Sequence, residues 1–343
     1  MNPLVLITRP IHTIRRIFDL LVMYAAAGIA ILRQQRNFVL QRYEGGRTLT
    51  GAARVAVFVH FDTRGRVHDF VVYYLQALRN AGFELVFVSN SPRLPSSAIA
   101  DILPLCAAVL HRKNIGYDFG AYKDGLAALG DLSQYNEVLL ANDSVYGPLF
   151  DLNDILSQCN DSAAVWGMTD SWDRRYHLQS YFVLFKKAAL VHPNMQAFWS
   201  SVIPAQSKTW IIRKYEIGLT QALMRGGLPC TALYKYRSAT AAFIQPRLPS
   251  DMPAHRVMRD NQRKYITAIT GTIEGGGPLN IMHHLWEQIL RMGCPFIKRE
   301  LLAKNPMGVP TAHQWQKTIE AVSDYDTDLI VRHLEATLRN RVI

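Results

Sequence analysis

Paired cysteines are missing from this sequence. Its four, Cys106, Cys159, Cys230 and Cys294, lie far apart and form no C-x-x-C pair, which argues against a disulfide framework and a structural zinc site and fits a reducing compartment. No G-x-G-x-x-G follows the first apolar run, so a dinucleotide fold of the usual kind is not indicated. Low-complexity tracts are absent and 49% of the residues are hydrophobic, as in an ordered globular chain. There is no clean apolar run of about 18 residues, the length a membrane span needs. The nearest candidate, Ile17 to Leu32, carries Asp19 and is flanked by Arg15, Arg16, Arg33 and Arg36. Arginines behind it also fit a secretory signal poorly; a helix lying on an anionic membrane surface, or packing on the body of the protein, fits better. Acid is scarce as well. Against 38 Lys and Arg stand 27 Asp and Glu, a net charge of +11, which points to an anionic partner: nucleic acid, a phospholipid surface or a phosphorylated substrate. With no zinc finger, RNP-like segment or basic amphipathic stripe, no nucleic-acid partner is expected.

What is present is a regular alternation. The 343 residues suffice for one large α/β domain or two smaller ones. After a linker-like stretch, Gln41 to Gly51, the run Val55 to Phe61 reads as a buried strand. Val67 to Ala81 reads as a helix stopped by Gly82, and Glu84 to Ser89 as a second strand. Ala107 to Leu110, Val138 to Ala141, Ala163 to Met168 and Ser180 to Phe185 continue the strand series. Trp210 to Arg225 reads as a helix stopped by Gly226-Gly227, with Glu216 on the same face as Thr220. Leu279 to Met292 reads as a helix carrying His283 and His284, and the chain from Thr311 as one or two surface helices. Ser238 to Lys264 is basic and shows no clear element. Strand, helix, strand in this order implies right-handed crossovers and a mostly parallel sheet flanked by helices.

The chain is organised around Lys113 to Phe150. There a glycine-bearing loop, Asn114 to Gly120, precedes a helical run, and the apolar strand Val138 to Ala141 stops at Asn142-Asp143-Ser144. In open α/β sheets ligands sit beyond the carboxyl ends of the strands, so this polar cluster is placed to bind one. Asn, Asp, Ser and Gly are also the usual turn formers, and two turns flanking an ordinary helix remain the plain alternative. His60, at the end of the first strand, is a further candidate for lining a ligand site.

Asn114-x-Gly116 followed by Gly120-Ala121-Tyr122-Lys123-Asp124-Gly125-Leu126, then a strand ending in Asn142-Asp143-Ser144, resembles the nucleotide-sugar half of a GT-A type glycosyltransferase. NIGYDFGAYKDGL, LLANDSVYGPL, HLQSYFVLFKKAAL and PFIKRELLAKNP resemble the rhamnan synthesis protein F family, bacterial enzymes of rhamnose-containing polysaccharide and lipopolysaccharide assembly. The resemblance runs from about Val55 to Pro306, with its motifs in one order. It implies a GT-A-like Rossmann-type α/β sandwich at residues 51–310, between a basic N-terminal helical segment and linker (1–50) and a helical tail (311–343).

The implied reaction is inverting transfer of L-rhamnose, or a related deoxysugar, from a donor such as dTDP-rhamnose to a lipid-linked or polysaccharide acceptor, at the cytoplasmic face of the inner membrane. Such transfer needs the departing diphosphate neutralised, the sugar held and the acceptor hydroxyl deprotonated. Glu216 resembles the acidic residue that supplies the base, and Asp170 is the runner-up. His60, Asn114, Gly116, Tyr117, Asp118, Lys123, Asn142, Asp143 and Ser144 would hold the donor, and His177, Gln179 and Ser180 the acceptor. Mg²⁺ or Mn²⁺ would sit on Asp143 with His283. The triplet keeps one carboxylate where the family's wider pattern has two, which weakens that metal site; Arg112, Lys113 and Lys123 are the alternative counter-charges. The lost carboxylate also leaves open a non-catalytic scaffold of a polysaccharide assembly complex.

Overall fold

The computed structural model describes residues 20–32, 36–245 and 260–338. Asp19, Arg15, Arg16, Arg33 and the basic stretch 246–259 lie outside the described residues. A central sheet runs in the order β1-β4-β3-β2-β5-β9-β7-β10, with β8 paired to β7. Its strands are β1 (Val39–Glu44), β2 (Arg54–His60), β3 (Glu84–Ser89), β4 (Ala108–Arg112), β5 (Glu137–Asn142), β7 (Val165–Ser171), β8 (His177–Leu178), β9 (Phe182–Lys186) and β10 (Cys230–Tyr234). A separate two-stranded ribbon joins β6 (Val145–Tyr146) to β11 (Ile297–Lys298).

The near-continuous apolar sequence of β2 is what a strand covered on both faces requires. β2 is parallel to β3 on one side and to β5 on the other, with Val57 level with Val86 and Leu140. Its side chains divide between two cores. Ala56 and Phe58 join Tyr74, Leu75 and Leu78 of the helix Asp69–Asn80, together with Trp286, Ile319 and Ile330 from the C-terminal part. Val55, Val57 and Val59 face Phe119, Tyr122 and Leu126 of the helix Tyr117–Leu129 and Phe198 and Trp199 of the helix Pro193–Ser201. The molecule is therefore the mixed α/β sandwich the sequence implies, helices covering both faces of one sheet.

Two readings of the sequence need correction. The stretch beginning at Gln41 is not all linker: Val39–Glu44 is an antiparallel edge strand on β4, Tyr43 opposite Val109. Its polar composition hid it, because a charged, half-exposed strand is what guards a sheet edge. Leu279 to Met292 is two short helices, Ile281–His284 and Trp286–Arg291, broken at Leu285 (φ −117°, ψ 26°). The break lets Leu285 and Trp286 both bury in the same core.

Residues 20–32 are helical, and Met23, Ala27 and Ala30 are buried against the body. The opposite side carries Leu21, Val22, Tyr24, Ile29, Ile31 and Leu32, all at least half exposed. No helix among the described residues is long and apolar enough to cross a membrane.

Candidate active site

The carboxyl ends of β2, β3, β4 and β5 meet along one edge of the sheet, and there the chain turns at His60, Asn90, Lys113 and Asn142. Asn142 organises the turn after β5. Its side-chain amide donates to Asp118 Oδ2 at 3.1 Å, while its Oδ1 accepts from the Ser144 N–H at 3.1 Å and hydroxyl at 2.6 Å. Asp143 is 9% exposed. Its Oδ2 accepts from the Phe61 N–H at 3.3 Å and pairs with the Arg299 guanidinium at 2.8 Å.

Two cations reach this triplet because β11 lies antiparallel to β6, with Lys298 level with Val145. The Arg299 N–H donates to the Ser144 carbonyl at 3.1 Å. Arg299 also donates to the Asp143 carbonyl, covers the Phe70 ring at 5.2 Å and lies 3.4 Å from the His333 ring nitrogen. Lys298 Nζ donates to the Ser144 hydroxyl at 3.1 Å and stands 4.7 Å over the Tyr181 ring. Burial pulls the Lys298 pKa down, against the charges of Glu216, Asp118 and Glu300. Sequence reading assigned neither cation a role, although both lie in the motif PFIKRELLAKNP.

The glycine loop is a second wall. Gly116 (φ 81°) and Tyr117 (φ 51°) both take left-handed backbone, and a bulky residue does so only where its surroundings impose it. Gln206 imposes part of that shape, accepting from the Gly116 N–H at 3.2 Å and donating to the Asn114 carbonyl at 2.8 Å. Tyr117 is left 38% exposed at the mouth, and Asp118 follows in the first turn of the helix. Burial raises Asp118 to about 6, helped by the charges of Asp143 and Glu216 and opposed by Lys298.

Two of the three expected counter-charges are already engaged. Buried Arg112 donates to Asp124 at 2.7 Å and to the Ile115 carbonyl at 2.9 Å, and also to Asn90. It is a strut under the loop. Lys123 donates to the Val202 carbonyl at 2.6 Å, and Lys113 is exposed at the end of β4. His60 is buried, with Nδ1 3.2 Å from Ser89 Oγ and Nε2 3.1 Å from the Arg66 carbonyl, so both ring nitrogens serve the fold. Burial lowers its pKa.

Glu216 closes the third side. It is the last residue of a π-helical turn, Ile211–Glu216, that runs into the helix Ile217–Arg225; such turns are rare and recur at functional sites. Glu216 Oε1 accepts from the Ser180 N–H at 3.2 Å and hydroxyl at 3.1 Å. One turn on, the Thr220 hydroxyl accepts from the Leu178 N–H at 3.0 Å, so the shared face expected for the two residues docks on residues 178–180. Oε2 of Glu216 accepts no hydrogen bond from the described residues.

Asp170 is buried, and its Oδ1 accepts from the Tyr236 N–H at the start of the helix Tyr236–Ile244. Burial raises its pKa. His177 holds the Arg175 carbonyl at 2.8 Å, and Gln179 accepts from the Thr169 hydroxyl at 2.7 Å. Of the acceptor candidates, Ser180 alone touches Glu216.

The donor set does not fit a divalent metal. The one carboxylate of the triplet is paired with Arg299, and Ser144 with Lys298, so the triplet's oxygen donors are engaged by cations. His283 is buried and lowered to about 4 by burial, and its Nδ1 has no hydrogen-bond partner. Among the described residues no group of three or more His, Cys, Asp and Glu could hold a metal ion.

The rhamnan synthesis protein F family model matches residues 85–261. The chain belongs to that family. The match spans the glycine loop, the triplet and Glu216, and ends before Lys298 and Arg299. A virulence protein, VirA, of Vibrio anguillarum is 30% identical over 262 residues, 73% of this chain and 80% of that protein. Among solved structures, the glycosyltransferase GlyE of Streptococcus pneumoniae is 10% identical, with 84% of this chain and 64% of that one covered and a TM-score of 0.42. The mannosyltransferase PcManGT of Pyrobaculum calidifontis, solved with GDP-Man and Mn²⁺, is 11% identical, with 94% and 92% covered and a TM-score of 0.33. At such scores the likeness transfers no residue role. Membership in the rhamnan synthesis protein F family supports a glycosyltransferase enzyme.

Proposed function

We propose that this protein transfers a sugar from a nucleoside diphosphate to an acceptor hydroxyl, with Glu216 as the base. The observation that carries the reading is the convergence of Glu216, Asp118, the Asn142–Ser144 turn, Lys298 and Arg299 at the carboxyl ends of the parallel strands. A carboxylate whose Oε1 is held by two donors from Ser180, and whose Oε2 is unbonded, is oriented and still able to take a proton. Lys298 and Arg299 would balance the charge of the leaving diphosphate. Arg299 is held from both sides, by Asp143 and by the ring of Phe70, so little ordering remains when an anion arrives.

The donor sugar we propose is L-rhamnose or a related deoxysugar, carried on a nucleotide such as dTDP, with inversion at the sugar carbon. The family description supports rhamnose. The acceptor is a lipid-linked glycan of cell-surface polysaccharide or lipopolysaccharide synthesis, met at the cytoplasmic face of the inner membrane. The outward apolar residues of the N-terminal helix support peripheral association there.

The test is a panel of nucleotide sugars that includes dTDP-rhamnose, offered to the purified protein with membrane lipid extract as acceptor. Product should form from dTDP-rhamnose or another deoxysugar donor, and that donor should raise the melting temperature. No product from any donor and no thermal shift would favour the scaffold reading.

A further inference from the structure

On the outer side of the helix that carries Glu216 lies a cavity of about 590 Å³. Arg213, Lys214 and Arg225 enter it from that helix, and Arg174 and Arg175 from the loop after β7. No acidic side chain lines it. None of the five cations pairs with a carboxylate among the described residues, and the buried Nε of Arg213 has no hydrogen-bond partner. Arg174 is held there in left-handed backbone (φ 67°). Five cations without a carboxylate partner around one cavity give it a positive potential that an anion would offset.

Apart from Ser201 and Gln221 the rest of the lining is mainly apolar and continues onto the N-terminal helix. Phe198 and Ile217 line it together with Met23 and Tyr24 of residues 20–32. Tyr24 meets Trp210 edge-on at 6.1 Å, and Lys214 stands 5.5 Å over the same indole. The same helix carries the exposed Leu21, Ile29 and Leu32. A cationic cavity that opens onto an outward apolar helix face matches an amphiphile with an anionic head. Glu216 faces the other way, toward Ser180.

We propose that this cavity seats the phosphate of an anionic phospholipid while the exposed face of residues 20–32 lies among the neighbouring acyl chains. The inference rests on the membrane-surface reading above and supplies its headgroup site. Such docking fixes which side of the molecule faces the bilayer, and sets the Glu216 cleft on the other side of the same helix.

The full chain is sedimented with vesicles of phosphatidylcholine, with or without one third phosphatidylglycerol. It should pellet with the anionic vesicles only. R213Q/K214Q/R225Q should weaken that binding about tenfold or more. A control that loses the same charge elsewhere, R64Q/R291Q/K317Q, should stay within about twofold of wild type. Equal weakening by the two triple variants would reduce the site to diffuse charge and overturn the proposal. Binding unchanged in R213Q/K214Q/R225Q would overturn the headgroup site and leave membrane association standing, whereas a wild type that stays in the supernatant would overturn both. Release from vesicles by millimolar inorganic phosphate would assign the cavity to a free anion and also contradict lipid docking. No donor is present, so the result is independent of sugar transfer.

Discussion

Asp118 and Glu216 are two carboxylates near one pair of cations, and their surroundings set them different tasks. Glu216 is hydrogen-bonded by Ser180, whereas Asp118 is half-buried beside Asp143 and raised to about 6. A carboxyl raised on folding contributes stability that is complete below its unfolded value, 3.8 here, and lost as pH rises through about 6. At neutral pH the ionised Asp118 therefore costs the fold free energy. D118N should be more stable than wild type at about pH 7.5, by on the order of 2 kcal/mol, and gain little at about pH 4. Urea unfolding at the two pH values measures this, and a loss of stability at the higher pH would contradict it. Much of this residue set was legible in the sequence, because a polar triplet ending an apolar strand and an acid near a helix start are local patterns. Lys298 was not: its bond to Ser144 spans 154 positions, and no local spacing announces a contact made through a two-residue ribbon. Nor did the sequence show that Arg112 is a strut, since that depends on which loop folds over it.

At the scale of elements, the helix Tyr117–Leu129 positions Asp118 by lying unusually close to the sheet. Gly125 makes the approach possible: a Cβ there would meet Val57 Cγ1 at 2.3 Å and Val88 Cγ2 at 3.1 Å. Alanine is the better helix former by about 1 kcal/mol, yet overpacking a tight contact costs about 1–3 kcal/mol. A 2.3 Å approach is at the severe end of that range, so G125A should destabilise the protein by up to about 2 kcal/mol and lower donor turnover by displacing the glycine loop. A thermal melt no lower than wild type would show that this packing is looser than described. The parallel strands were the most legible elements, because burial on both faces leaves uninterrupted apolar runs. The edge strand β1 and the break at Leu285 were the least legible, because pairing at a sheet edge and core geometry decide them rather than local preference.

At the scale of the whole molecule, one sheet collects loops distant in sequence at its carboxyl edge, and a C-terminal ribbon brings two cations to them. The central proposal is a sugar transfer in which Glu216 acts as base and Lys298 and Arg299, without a metal, offset the diphosphate charge. Its most direct test is the rate of nucleoside diphosphate release from the accepted donor, in the presence of a chelator, for wild type and E216Q. The account predicts that the wild-type rate survives chelation and that E216Q falls by about 100-fold or more with its melting temperature little changed. A wild-type rate abolished by chelation, or an E216Q variant as fast as wild type, would contradict it.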